Sequence, residues 1–79
     1  MDELDMENRV RVARVEKGLT QEQLASMAGI TRQTIGLIEA GKYNPTLKLC
    51  LMLAKATGKS LDELFWIKGE KRDETHVPG

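Results

Sequence analysis

Cysteine and histidine occur once each, at Cys50 and His76, so the chain closes no internal disulfide and cannot assemble a zinc site. Only Tyr43, Phe65 and Trp66 are aromatic, and proline appears twice. The longest apolar stretch is Leu49–Ala54, far short of the roughly 20 residues that a membrane helix needs. The opening Met1–Asp5 is acidic and holds no apolar run, so no secretory signal is expected. A glycine-rich phosphate loop is missing, the one histidine lies near the end, and no acid–base pair stands out beyond Arg14 with Glu39. These absences point away from an enzyme, a cofactor, a bound small molecule and a membrane. A soluble, reduced, cytoplasmic protein is expected.

Net charge is missing too, since 12 basic residues balance 12 acidic ones. Their positions do not balance. Residues 8–59 hold nine Lys and Arg against Glu16, Glu22 and Glu39, a surplus of six. The two ends carry the opposing deficit. A basic body with acidic ends keeps an electrostatic footprint that a neutral total hides. On charge alone, a nucleic-acid surface and a solvated mixed-charge surface both fit.

What is present suits one small domain. The chain has 79 residues, 41% of them hydrophobic. At that length only about 60% of the unfolded surface is buried on folding, so the core is marginal. Val10, Ala13 and Lys17 share one helical stripe, which Gly18 ends. Thr20 and Gln23 have the spacing of a capping box and open a second helix with Leu24, Ala25 and Ala28 on one face. Gly29 closes it, and Thr31 caps a third helix with Thr34, Ile35 and Ile38 facing inward. Asn44-Pro45-Thr46 leads into a fourth helix from Thr46 to about Thr57, closed by Gly58. Ser60 and Glu63 form another capping box. The run Leu64-Phe65-Trp66-Ile67 reads as a strand, because it is aromatic and β-branched. Cys50 reads as a small buried hydrophobe and His76 as inert.

Two short helices joined by a tight turn at Gly29 form a helix-turn-helix, which can push the start of its second helix into a major groove. The series Gly18-Leu19-Thr20-Gln21, Gln23-Leu24-Ala25, Gly29, Ile38-Glu39-x-Gly41 and Asn44-Pro45-x-Leu47 resembles the Cro/C1-type (XRE-family) helix-turn-helix regulators. The likeness runs from about Val10 to Leu64 and is strongest to very small dimeric repressors. It implies a mainly α, five-helix, lambda-repressor-like DNA-binding domain with a short terminal β-strand pair. The expected layout is an acidic segment 1–7 able to form a short strand, the domain 8–64 with its motif at 20–39, a strand at 64–68 and a flexible tail at 69–79.

The resemblance also implies roles. Arg14 and Glu39 match the family's buried ion pair. Gln21 matches a phosphate contact from the start of the second helix. Thr31, Arg32, Gln33 and Thr34 open the recognition helix, where arginine suits guanine and glutamine suits adenine. Leu37 takes a groove-facing position and could meet a thymine methyl. Lys42, Tyr43 and Asn44 lie where the family contacts phosphate. Gly36 inside the recognition helix departs from good helix chemistry, and Thr57 and Lys59 replace apolar residues common in the family.

Some of the apolar excess on the fourth helix, including Met52, must meet another chain or the terminal strand. With Leu64, Phe65, Trp66 and Ile67 it is expected to build a homodimer interface, and Leu4–Glu7 is the expected partner strand. The partners expected are therefore double-stranded DNA and a second copy. Three function classes fit: a homodimeric repressor at a palindromic operator, an antitoxin that autoregulates its operon, and a protein-interaction module on the same fold. The basic body and Arg32-Gln33 favour DNA over the third. An antitoxin needs extra chain to wrap a toxin, which favours the first.

Overall fold

Four of the helices begin where a short hydroxyl side chain can take up a free backbone N–H. Thr20, Thr31, Thr46 and Ser60 each accept from the amide three residues on, and Thr20–Gln23 and Ser60–Glu63 are complete capping boxes. The computed structural model describes residues 6–68. In chain order these are strand β1 (Met6–Asn8), helices α1 (Val10–Glu16), α2 (Gln21–Ala28), α3 (Arg32–Glu39), α4 (Leu47–Thr57) and α5 (Leu61–Leu64), and strand β2 (Phe65–Ile67). Helix α1 begins differently. Its N-cap Arg9 offers no side-chain acceptor, and the Asn8 Oδ1 beside it accepts from the Val10 N–H at 3.0 Å.

Val10, Leu24, Ile35, Ile38, Leu53 and Leu64 form the fully buried centre, one or two from each helix. Burying side chains of this size is worth about 1.5–3 kcal/mol each before chain entropy is charged against it. Ala25 and Ala28 are buried where α2 meets α3 and α4, and their size lets the backbones approach. Thr57 is buried as well, but its hydroxyl donates to the Leu53 carbonyl at 2.8 Å, so the polar atom is satisfied within its own helix. Lys59 pairs with Glu16 at the surface. Cys50 is buried on α4, and desolvation pushes its thiol above the usual range. Lys17 falls at the end of α1 and is exposed, so the inward stripe there stops at Ala13; Thr34 is half-buried rather than inward.

The terminal strands differ from expectation in two ways. Leu64 is the last residue of α5 and is fully buried in its own chain, so it takes no part in a strand or an intermolecular surface. The Ser60–Glu63 capping box starts a helical turn, and that turn drops Leu64 onto the core before the backbone becomes extended at Phe65. The partner strand is Met6–Asn8, antiparallel within the same chain, with Met6 opposite Ile67, Glu7 opposite Trp66 and Asn8 opposite Phe65. Leu4 and the tail 69–79 lie outside the described residues. The Trp66 indole Nε1 donates to the Glu7 carboxylate at 3.1 Å and reinforces that register.

Candidate nucleic-acid interface

The α2–α3 unit owes its shape to Gly29. At φ 74° it holds the left-handed conformation that ends α2, while the Ile30 N–H behind it returns to the Ala25 carbonyl at 2.9 Å. Two residues later Thr31 caps α3, and its hydroxyl also lies 3.0 Å from that of Thr34. The turn therefore leaves the first residues of α3 at the surface. Thr31, Arg32 and Gln33 are exposed, and Leu37, one turn on, is 40% exposed.

A charged cluster holds the far end of α3. The Arg14 Nε donates to Glu39 Oε2 at 2.7 Å, and the Gln21 Nε2 donates to Glu39 Oε1 at 3.1 Å. Arg14 also donates through Nη1 to the Leu19 carbonyl at 2.9 Å. The Arg14 and Glu39 side chains are only 12% and 7% exposed, so this tie is shielded from water and salt. It locks α1, the start of α2 and the end of α3 to one another. Gln21 thus spends an amide proton inside the protein. Its neighbour Gly36 offers a small surface there, since an added Cβ would sit 3.8 Å from the Gln21 Nε2.

Four of the nine expected nucleic-acid residues line two grooves. Gln21 and Arg32 line one of about 520 Å³ with Thr20 and Glu22. Lys42 and Asn44 line another of about 900 Å³ at the end of α3. Tyr43, between them in sequence, is 43% exposed. Of the expected interface residues, Met52 and Ile67 are exposed at 36% and 38%, whereas Phe65 and Trp66 are half-buried against the chain itself.

Two features escaped the sequence reading. Asn8 bridges α1 and α3, donating from Nδ2 to the Ile38 carbonyl at 2.9 Å. An asparagine just before a helical stripe was the available signal. Arg9 and Lys68 join Lys42 in the larger groove, which only the strand pairing reveals.

No helix among the described residues is long and apolar enough to cross a membrane. A family model described as helix-turn-helix matches residues 10–64. The chain is 40% identical over 65 residues to YgzD of Bacillus subtilis, an HTH-type transcriptional regulator, covering 82% of this chain and 98% of that protein. It is 45% identical over 60 residues to an HTH-type transcriptional regulator of Methanocaldococcus jannaschii, covering 76% of this chain and 91% of that one. Among solved structures, the restriction-modification controller protein C.AhdI from Aeromonas hydrophila superposes with a TM-score of 0.65 at 39% identity, over 68% of this chain and 82% of that chain. These relatives are regulators rather than enzymes. Motif, fold and relatives agree: the chain belongs to the Cro/C1-type (XRE) family of helix-turn-helix transcriptional regulators, which bind DNA.

Proposed function

We propose that this regulator is a cytoplasmic homodimeric repressor that reads a palindromic operator with α3 in the major groove. The observation that carries the reading is the exposure of Arg32 and Gln33 in the first turn of a helix whose other end is clamped by Arg14, Glu39 and Gln21. Arginine presents two donors to guanine O6 and N7, and glutamine pairs two-fold with adenine. Thr31 and Thr34 flank them, and Leu37 supplies an apolar contact for a thymine methyl. Lys42, Tyr43 and Asn44 follow α3 and meet phosphates, with Gln21 doing so from the start of α2.

The second copy is supported by exposed apolar surface in one region. Leu47 is 66% and Leu51 50% exposed one turn apart on α4. Beside them a groove of about 400 Å³ runs between Pro45, Leu47, Leu61, Phe65 and Ile67. A two-fold dimer that reads two half-sites must space its copies of α3 by about 34 Å, one DNA turn, and so demands a palindrome. Selection from a random duplex pool with the purified protein tests the reading. Enrichment of an inverted repeat supports it, and no enriched sequence at low salt overturns it.

A further inference from the structure

The groove at the end of α3 collects three cations from distant parts of the chain. Arg9 comes from the start of α1, Lys42 from the loop after α3, and Lys68 from the end of β2. All three are exposed, and none is in an ion pair among the described residues. Two carboxylates share the lining. Glu39 is already neutralised by Arg14, and Glu7 accepts from the Trp66 indole. The local balance is thus positive, although Glu7 lies just beyond the basic body. Asn44 adds an uncharged donor.

Position gives this charge a target. An eight-residue helix is about 12 Å long, close to the roughly 12 Å width of the major groove. With the Thr31 end of α3 at the bases, its Glu39 end comes level with the phosphates that border the groove. Ala40, Gly41 and Lys42 follow directly and form one wall of the cleft. The β1–β2 strand pair also lines the cleft, through Met6, Glu7, Asn8 and Trp66, and Lys68 follows β2 directly.

We propose that this cleft is a binding site for the DNA sugar–phosphate backbone, in which Arg9 and Lys68 extend the contact made by Lys42 along the strand bordering the bases read by α3. The site rests on the placement of α3 in the major groove. Its ligand is the phosphodiester chain, so its contribution is to affinity and register and not to base preference.

The full chain is titrated onto its selected operator and onto a scrambled duplex of equal length, over a series of potassium chloride concentrations. Arg9→Gln and Lys68→Gln should each weaken binding to both duplexes and reduce the slope of log K against log salt by about 0.9, leaving sequence preference unchanged. Together they should reduce it by about twice that. Lys55→Gln is the control, because Lys55 is exposed on α4 and lies outside the cleft. It should change the slope by much less. Slopes unchanged in the Arg9 and Lys68 variants, or lowered equally by Lys55→Gln, overturn the cleft. If Arg32→Ala still alters base preference in that case, the placement of α3 survives; if the parent protein binds no duplex, both fail.

Discussion

The Asn8 side chain ties the first strand to α3, donating from Nδ2 to the Ile38 carbonyl at 2.9 Å across 30 positions of sequence. The same side chain accepts from the Val10 N–H at 3.0 Å, so it caps α1 and closes α3 at once. Asn8→Ala removes both partners and should destabilise the domain by about 1–3 kcal/mol. Asn8→Asp keeps the acceptor for Val10 but sets a carboxylate against the Ile38 carbonyl, so it should remain well below the parent in melting temperature. Equal melting of the Asp variant and the parent would show that the link to Ile38 contributes nothing.

Arg14→Ala leaves Glu39 with one remaining side-chain donor, Gln21, in a site nearly closed to water. The expected loss is about 3–5 kcal/mol, a large share of the stability of so small a domain. Arg14→Met combined with Glu39→Leu should recover much of it, because no charge is then stranded. Denaturant titration of the three proteins measures the comparison. A single mutant as stable as the parent would mean the pair contributes nothing net.

Much of this architecture was legible in the sequence because its signals are local. Thr20, Thr31, Thr46 and Ser60 announce helix starts within four residues of their partners, and Gly29 and Gly58 mark stops in the same way. Leu64 was misread for a physical reason. A four-residue apolar run fits a strand period and one helical turn equally well, and only the core beneath decides. The larger cleft was illegible because Arg9 and Lys68 meet only after β1 and β2 pair, a contact with no local signature. Arg32 and Gln33 stood out by residue type; their exposure needed the fold.

Gly36 offers a stabilising substitution. Its backbone is ordinary helix, and an added Cβ would meet only the Gln21 Nε2 at 3.8 Å, a normal contact distance. Gly36→Ala should therefore stabilise by about 1 kcal/mol, which raises the melting temperature of a domain this size by about 4–8 °C. A lower melting temperature would show that the Gln21–Glu39 contact is disturbed by even one methyl group.

Glu63 provides a pH test. The Ser60 backbone N–H and hydroxyl donate to its carboxylate and hold it below the ordinary carboxylate range. A carboxyl depressed in the folded state contributes stability above its unfolded value of about 4, and loses it as pH falls through the folded value. Glu63→Gln keeps the capping acceptor but not the charge. The parent should therefore melt higher than the variant at neutral pH, with the gap closing in acid. A gap independent of pH would place the effect elsewhere than in that charge.

Dimerisation is best tested on the exposed face of α4, because the buried Leu64 makes deletion of the C-terminal segment a folding experiment. Leu47 and Leu51 are at least half exposed and stand one turn apart, so replacing both by lysine should leave the helices and their core intact. A stable dimer needs about 1,000 Å² or more of well-fitted surface, and two charges at the centre of such a patch would be left desolvated without partners. Leu47→Lys/Leu51→Lys should sediment as a monomer at micromolar concentration where the parent is a dimer, with an unchanged far-ultraviolet circular dichroism spectrum. The variant should bind the full palindrome no better than a single half-site, since the second α3 is no longer tethered. A variant that stays dimeric would move the interface away from this face of α4. A parent that sediments as a monomer and binds one half-site tightly would remove the palindrome from the model altogether.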